Sequence, residues 1–319
     1  MVVLFTADWH LKLGQKNVPL DWAKNRYKEF FNQIREKEKS VDLHIIGGDL
    51  FDRLPSMPEL ELYFDFISGV QIPTIIFDGN HEATRKNKTF FTQLKHASEK
   101  LNPLVEIVDY IDKREEFSIL PYCVLHNKWN PVIDLDIRKP LFTHVRASIP
   151  PHVTPEIDLA RLSQFPVVFA GDLHSHSNTQ LNIVYPGSPM TTQFHRTEVK
   201  TGYLLIDMMD WAWEWHEFKL PQLIRKTVTD PNAMIPTTYN HTIYELEGDV
   251  ADLSLVKNTE LLDKKVVKRK TEATLILGKE MSMEEELAEY LSYILELKDE
   301  TVKQIIGIFH DHSKEARVG

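Results

Sequence analysis

Acidic, amide and imidazole side chains follow three short apolar segments in the first part of the chain. These segments and the side chains after them are Val2–Thr6 with Asp8 and His10, Leu43–Gly47 with Asp49, and Thr74–Phe77 with Asn80 and His81. Core packing does not call for carboxylates and imidazoles at the ends of three buried strands. Oxygen and nitrogen donors in these places are typical ligands of a divalent metal ion.

More histidines follow two later apolar runs. His144 ends the segment Leu141–His144, and the run 167–170 leads to Asp172, His174 and His176. Because side chains two apart in an extended segment point the same way, His174 and His176 can reach one centre. The predicted ligands are Asp8, His10, Asp49, Asn80, His144, His174 and His176, with His81 beside them. This set is too large for one ion and fits two that share a carboxylate, for which Asp49 is the natural bridge.

The segments that carry these residues alternate with helical patterns. Apolar residues spaced three or four apart predict helices at 21–39, 58–69 and 89–101. Strands alternating with helices at this spacing predict a parallel α/β arrangement, whose functional groups gather at the carboxyl ends of the strands. Further strands are predicted at 105–110, 117–124, 141–144, 167–170, 182–185, 203–208 and 213–218.

The composition changes around Pro221, Pro231 and Pro236, which marks a predicted domain boundary. Beyond it, strands at 241–246 and 273–277 with a helical stretch at 250–262 predict a small α+β unit. Two amphipathic helices, 284–297 and one from 301 onward, end the chain. The predicted domains are 1–222, 223–280 and 281–319. The strongest basic run consists of Lys264, Lys265, Lys268, Arg269 and Lys270.

Composition narrows the class of protein. The chain has 319 residues, of which 42% are hydrophobic and 26% charged, and this is typical of a globular protein with a sizeable core. The single Cys123 excludes an internal disulfide framework and favours a reducing compartment. No segment is long enough to span a bilayer, so we expect a cytoplasmic location. The net charge of −10 means that any attraction to a polyanion must be local or come from a partner.

The motifs together resemble a known family. In chain order they are Asp-x-His, Gly-Asp-x-x-Asp-Arg, Gly-Asn-His-Glu, a single His and His-x-His. This series is similar to that of the calcineurin-like metallophosphoesterase superfamily, and within it to the SbcD-type nuclease subunits of double-strand-break repair complexes, including compact phage-encoded versions. The motifs cover roughly residues 2–190, and beyond 223 the similarity is one of layout. The resemblance implies an α/β (α+β sandwich) fold, with a four-layer core, a small α+β capping domain and C-terminal helices.

The resemblance also implies roles for the site residues. Asp8, His10 and His176 would hold one ion, Asn80, His144 and His174 would hold the other, and Asp49 would lie between them. His81 matches a non-ligand histidine that stabilises the transition state and protonates the leaving oxygen. The chain departs from the family at Leu173, where a glycine is usual, and we interpret the preceding Asp172 as structural.

The function implied by the resemblance is that of a nuclease with two Mn²⁺ ions, while the nitrogen and oxygen donors by themselves also suit Zn²⁺ or Fe²⁺. It would act as a 3′-to-5′ exonuclease on double-stranded DNA ends and as an endonuclease on single strands, in recombination and break repair. The first domain would be the nuclease domain, the second a DNA-binding capping domain that carries the basic run, and the third a docking segment. An SbcC/Rad-type coiled-coil ATPase would bind helices in 281–312, and the nuclease would form a homodimer in the cytoplasm of a bacterial or phage-infected cell.

Two other functions fit parts of the pattern. The same scaffold could serve a small-substrate phosphodiesterase or a phosphoprotein phosphatase, although neither needs the domain beyond Pro221. A DNA-end scaffold with a decayed site is the other alternative, and the complete set of site residues argues against it. The basic run could equally be a solvated face, and His195 follows closely enough on Pro186 and Gly187 to line the cleft.

Overall fold

A computed structural model describes residues 1–85, 87–267, 281–295 and 297–315. Its helices are α1 (Leu20–Glu38), α2 (Met57–Ser68), α3 (Phe91–Leu101), α4 (Tyr122–Leu125), α5 (Pro131–Asp134), α6 (Val250–Leu255), α7 (Met283–Glu289) and α8 (Asp299–Glu315). Its strands are β1 (Val2–Thr6), β2 (Leu43–Gly47), β3 (Thr74–Phe77), β4 (Ala83–Arg85), β5 (Lys88–Thr89), β6 (Val105–Val108), β7 (Asp112–Lys113), β8 (Ser118–Leu120), β9 (Leu141–His144), β10 (Val168–Gly171), β11 (Ile183–Val184), β12 (Gly202–Asp207), β13 (Trp213–Glu217), β14 (Leu223–Val228), β15 (His241–Gly248) and β16 (Leu262–Val267).

The first sheet has the strand order β13-β12-β1-β2-β3-β6. Strands β1, β2, β3 and β6 are parallel, whereas β12 is antiparallel to β1 and β13 is antiparallel to β12. The predicted strands that precede Asp8, Asp49 and Asn80 are confirmed. Each is a continuous apolar run because a parallel sheet covered on both faces buries both sets of side chains.

Helices α1, α2 and α3 cover the outer face of this sheet. Trp9 is fully buried there, with ring centroids 4.8 Å from Phe30 of α1 and 4.9 Å from Phe66 of α2. Truncation of a buried tryptophan costs roughly 3–5 kcal/mol. Because Trp9 stands between Asp8 and His10 in the sequence, its packing in the helical layer also fixes the loop that carries both side chains.

The second sheet has the order β11-β10-β9-β8-β7 and is parallel from β8 to β11. It packs face to face with the first sheet through aromatic rings. The ring of Phe5 in β1 lies 5.3 Å from Phe142 of β9 and 6.3 Å from Phe169 of β10. Loops and the short helices α4 and α5 cover its outer face, where Trp129 and Phe165 are buried. The predicted four-layer α+β sandwich is therefore confirmed.

Some elements differ from the sequence-based expectation. The predicted strand 117–124 is only Ser118–Leu120, since Pro121 ends it and begins the short helix α4. The predicted helix 250–262 ends at Leu255, and Leu262–Val267 forms a strand instead. Leu223–Val228 is a strand in the stretch that the prolines marked as a boundary. With β15 between them, β14 and β16 form a three-stranded sheet. The strand predicted at 273–277 lies outside the described residues.

The chain divides into two compact units, 1–246 with 256–265, and 247–255 with 266–319. In the second unit the two predicted terminal helices are present, and α7 passes into a π-helical turn at Tyr290–Ile294 before α8. His310 Nδ1 of α8 lies 2.7 Å from Glu284 Oε1 of α7. The predicted domain division stays a prediction. Within the described ranges, no helix has the length and apolar character needed to cross a membrane.

Candidate metal centre

Side chains from both sheets meet at the carboxyl ends of their parallel strands. They are Asp8 and His10 after β1, Asp49 after β2, Asn80 and His81 after β3, His144 at the end of β9, and Asp172 and His174 after β10. Asp8, His10, Asp49 and His144 are almost completely buried. His81 and His174 are exposed to solvent, so the centre is open on one side.

The backbone at this edge is held in an unusual conformation. The φ angle is positive at Asp8 (57°), His10 (46°), Asp49 (50°) and Asp172 (101°). A non-glycine residue in this region costs of order 1–3 kcal/mol and persists only where other contacts enforce it. Here the amides of Asp8 and His10 donate to the carbonyls of Gly48 and Asp49, at 3.0 and 2.9 Å. The left-handed turns point these side chains inward at the ends of their strands.

Two glycines allow the edges of the sheets to approach closely. A Cβ atom at Gly79 would lie 2.4 Å from the amide nitrogen of Asp49, and one at Gly171 would lie 2.4 Å from the carbonyl oxygen of Gly47. Any larger residue would push the two strand ends apart. The glycines that directly precede Asn80 and Asp172 therefore bring the candidate ligands within reach of each other.

Glu82 is a buried positioning residue whose role does not follow from the sequence pattern. Its carboxylate accepts hydrogen bonds from the backbone amides of Asp49 (2.9 Å), Phe51 (2.8 Å) and Gly79 (2.8 Å). It thereby fixes the loops after β2 and β3 to each other. The glutamate in Gly-Asn-His-Glu was the available signal, but a sequence does not show which amides will donate to a carboxylate.

One group of donor atoms consists of Asp8, His10 and His174, whose ligand atoms lie within 4.8 Å of one another. The Nε2 atoms of His10 and His174 are 3.0 Å apart. Asp8 Oδ2 is buried and has no hydrogen-bond partner among the described residues. Burial also lowers the pKa of His10 to about 3, so the ring is neutral and has a lone pair to offer. These atoms fit a divalent cation.

A second group surrounds the side-chain oxygen of Asn80. That oxygen lies 3.1 Å from His144 Nε2, from Asp49 Oδ2 and from Asp172 Oδ1. In this orientation the oxygen faces other acceptor atoms. Rotating the side-chain amide would replace the oxygen by the NH₂ group, which could donate hydrogen bonds to those acceptors. A bound cation would instead attract the oxygen and the acceptors together, without any rotation. A site made of oxygen and imidazole donors is one that Mn²⁺ and similar ions occupy.

The electrostatics of the centre favour added positive charge. Burial first, and then the neighbouring Asp49 and Asp172, raise the pKa of Asp8 well above its ordinary value. Burial lowers the pKa of His144, but Asp49, Asp8 and Asp172 outweigh it and raise that pKa well above the ordinary value. Burial likewise opposes ionisation of Asp49, yet His144 and His10 hold its pKa below the ordinary value. The buried carboxylates at this edge are therefore stabilised by a positive charge, which can be a proton or a metal ion.

Asp172, for which the sequence predicts a structural role, lies inside the centre. Its side chain is 4% exposed and forms a two-pronged pair with Arg146, with Nε–Oδ2 at 2.9 Å and Nη2–Oδ1 at 3.0 Å. Oδ1 also faces Asn80 and is 3.8 Å from His144 Nε2. Arg146 balances the charge that Asp172 brings.

His176 is placed differently from the expectation. The grouping found by distance puts His174, and not His176, beside Asp8 and His10. His176 starts a 3-10 turn, its Nδ1 lies 2.6 Å from the carbonyl oxygen of Tyr185, and its ring stacks on Trp215. The rule of alternating side chains does not hold here, because the chain turns at Asp172 and again after Ser175.

His81 lies at the solvent side of the centre. Its Nδ1 lies 2.6 Å from the carbonyl oxygen of Asp52 and donates to it, and its backbone amide donates to Asp49 Oδ1 at 2.9 Å. Its Nε2 is 3.8 Å from Asp49 Oδ2. The ring is thus held with Nε2 turned toward the centre.

The predicted DNA-contacting run is only partly described. Lys264 Nζ forms an ion pair with Glu245 Oε1 at 2.8 Å, and Lys265 Nζ donates to the carbonyl oxygen of Val256 at 2.6 Å. Lys268, Arg269 and Lys270 lie outside the described residues. A role of this run in DNA binding stays a prediction.

Comparisons with known proteins find the same family that the motifs resemble. A family model described as calcineurin-like phosphoesterase matches residues 1–164, and the chain belongs to this family. It is 39% identical over 322 residues to "Probable exonuclease subunit 1" of Escherichia phage T5. The matched region covers 96% of this chain and 97% of the phage protein. It is 28% identical over 233 residues to "Putative phosphoesterase 244L" of Invertebrate iridescent virus 6, covering 65% of this chain and 76% of that protein.

Solved structures also match. An archaeal phosphodiesterase covers 68% of this chain with all of its own length, at 12% identity and a TM-score of 0.38. A protein of Thermus thermophilus covers 68% of this chain with 98% of its own length, at 12% identity and a TM-score of 0.43. From the family and the phage relative, the protein is a metal-dependent phosphodiester hydrolase.

Proposed function

We propose that the protein is a DNA nuclease that uses two divalent metal ions, with Mn²⁺ the first candidate. The observation that carries this proposal is the meeting of two donor groups on either side of Asp49, at the carboxyl ends of the parallel strands of two sheets. The near full-length similarity to a phage protein named as an exonuclease subunit supports DNA as the substrate. The polarity, 3′-to-5′ on double-stranded ends with endonuclease activity on single strands, belongs to the same proposal.

We assign the ligands by distance. One ion would be held by Asp8, His10 and His174, and the other by Asn80, His144 and Asp172, with Asp49 between them. This assignment replaces His176 with His174 in the first group and His174 with Asp172 in the second. With Arg146 paired to Asp172, the third carboxylate adds no net charge to the pocket.

Bound divalent ions would supply positive charge to the phosphodiester and lower the pKa of a water molecule, so that hydroxide is available at neutral pH. The chain's own groups do the rest. His81 holds a proton on Nε2 when it is charged, because Nδ1 donates to the carbonyl of Asp52. Passing that proton to the leaving oxygen contributes roughly 10²–10⁴-fold to the rate. Glu82 keeps the loops of Asp49 and Asn80 in register during the reaction.

The partners are part of the proposal. The phage relative is named as a subunit, which supports a complex of more than one kind of chain. We propose an SbcC/Rad-type ATPase that docks on 281–312, and a homodimer of the nuclease in the cytoplasm of a bacterial or phage-infected cell. Met283 of α7 and Ile308 of α8 are exposed apolar side chains that such a partner would cover.

Hydrolysis of linear duplex DNA in Mn²⁺ tests the function, with Asp49→Ala as the inactive variant and closed circular duplex as the substrate control. Linear DNA should be shortened from its ends by the wild type only. Turnover of a cyclic nucleotide or a phosphopeptide without any cleavage of DNA would instead favour the small-substrate phosphodiesterase or phosphatase. Adding the ATPase recovered from the native host, with and without ATP, tests the partnership.

A further inference from the structure

A cavity of about 660 Å³ opens beside the candidate metal centre. His174 belongs to both, because its Nε2 faces His10 at 3.0 Å while its Nδ1 faces Thr192 Oγ1, a cavity-lining group, at 3.3 Å. One imidazole ring therefore separates the candidate ions from the cavity. Nothing in the proposed chemistry uses this space.

One wall of the cavity is aromatic and rigidly held. The rings of His176 and Trp215 are stacked, with centroids 5.4 Å apart and planes 20° from parallel. Trp215 Nε1 donates to the carbonyl oxygen of Pro186 at 2.9 Å, and His176 Nδ1 is held by the carbonyl of Tyr185. The indole also lies close over Gly202, where a Cβ atom would approach it to 2.5 Å. A flat, preorganised surface of this kind loses little entropy when a planar ligand packs on it.

The remaining lining combines apolar side chains (Ile149, Leu173, Met190 and Val199) with polar ones, and it carries no acidic side chain among the described residues. It contains hydroxyl and amide groups, histidines and one lysine, and those used here are Ser177, Asn178, Thr192, Gln193, His195 and Lys200. Although the chain has a net charge of −10, this lining contains a lysine and no carboxylate that would repel an anion. It suits a ligand that combines a planar ring, hydrogen-bonding edges and a negative charge.

We propose that this cavity holds an unpaired nucleotide of the strand whose phosphodiester lies at the metal centre. The proposal rests on the proposed nuclease function and names the form in which the strand is bound. The base would pack on the His176–Trp215 wall, an interaction that proteins use on any base because each has a π face. Lys200 would meet a backbone phosphate. A cavity of this size takes a ligand of one or a few rings and not a duplex.

A consequence for the substrate follows. A nucleotide at a duplex end must leave its partner before it enters the cavity, at a cost of a few kcal/mol that is smallest for bases that are already unpaired. The isolated nuclease should therefore bind single-stranded or overhanging ends more tightly than blunt ends. It should show little preference for sequence.

Fluorescence of 2-aminopurine tests the proposal, since its emission falls when the base stacks on an aromatic ring. The probe is a single-stranded oligonucleotide that carries 2-aminopurine at either its 3′ or its 5′ end, mixed with the full chain in Ca²⁺ so that binding is measured without hydrolysis. We expect quenching at one end with the wild type. Trp215→Leu should remove it and weaken binding between about 5-fold and 150-fold. Lys200→Glu should reduce the slope of log affinity against log salt by about 0.7.

Lys219→Glu is the matched control, because Lys219 is an exposed lysine of the same unit that does not line the cavity. It should match the wild type. Because Trp215 is partly buried, Trp215→Leu is interpreted only if its circular dichroism spectrum matches that of the wild type. If it does not, the test rests on Lys200→Glu, since Lys200 is exposed. Absence of quenching at both ends, or equal effects of Lys200→Glu and Lys219→Glu, would overturn the proposal. Failure of the wild type to hydrolyse bis(p-nitrophenyl) phosphate or DNA in Mn²⁺ is a separate result, which would contradict the proposed nuclease function. Binding of the nucleotide in the cavity would then be decided by the fluorescence data alone.

Discussion

The sharpest test of the candidate centre compares two variants, Asp172→Ala and His176→Ala, because the structure suggests Asp172 as a metal ligand where the sequence motif suggests His176. Asp172→Ala removes an oxygen that lies with Asn80 and His144, whereas His176→Ala removes a ring that stacks on Trp215. If the assignment by distance is right, only the first variant loses a metal ion. If the assignment by motif is right, the second variant does.

The expected sizes of the two effects differ in kind. Loss of Asp172 removes a charged ligand, and we expect at least a 100-fold fall in affinity for one ion, about 2.7 kcal/mol. Arg146 loses its partner, but its side chain is 42% exposed and water can replace the pair, so the metal-free protein should change by less than about 1 kcal/mol. Loss of the His176 ring should cost about 0.5–1.5 kcal/mol of stability through the lost stacking, and should leave metal affinity unchanged within about threefold.

Calorimetric titration of metal-free protein with Mn²⁺, with electron paramagnetic resonance of the free ion as a second readout, measures both affinities. Asp172→Asn is the conservative control, since it keeps an oxygen and loses the charge, and it should fall between the wild type and Asp172→Ala. Two ions bound by Asp172→Ala at wild-type affinity would refute the reasoning, as would loss of an ion in His176→Ala. Chemical unfolding of each metal-free variant separates a lost ligand from a lost fold.

Further predictions concern single features of the centre. His81→Ala should lower kcat on DNA by roughly 10²–10⁴-fold with unchanged Mn²⁺ affinity, and the exposed His96→Ala should do neither; equal kcat in both variants would remove the role of His81. Glu82→Gln should lower the free energy of unfolding by about 1–3 kcal/mol in urea, because its NH₂ group would face backbone amides that it cannot accept from, and a native midpoint would contradict that. Mn²⁺ at about 100 times its Kd should stabilise the wild type by about 2.7 kcal/mol relative to EDTA, and a scan showing no change in Tm would argue against the ion site.

The strand ends that carry the candidate ligands could be predicted from sequence. Continuous apolar runs before Asp8, Asp49 and Asn80 predict buried parallel strands, and the shared edge of such strands is where their next residues meet. The order of the motifs along the chain also indicates the protein family. Those inferences use only local pattern and one rule of sheet geometry, and the structure has the strands at the predicted residues.

The choice among Asp172, His174 and His176 could not be made in the same way. It depends on a backbone turn with φ of 101° at Asp172, which a non-glycine residue adopts only when surrounding contacts enforce it. Those contacts come from Arg146 and from the Asp8 carboxylate, which accepts from the amide of Asp172 at 2.9 Å. Strand β14 is also not predicted by the sequence pattern, which indicates a domain boundary around Pro221 and Pro231. Prolines that border a segment say little about whether the residues between them pair in a sheet.

Asp8 and Asp172 are joined by a hydrogen bond although 164 positions separate them in the chain. During synthesis on the ribosome, the first half of the centre therefore emerges long before the second. A growing polypeptide that stops short of β10 has the aspartates of the first sheet and none of the partners that β10 and the loop after it bring. Catalytic competence should thus arrive in one late step, once β10 and the loop after it have been synthesised.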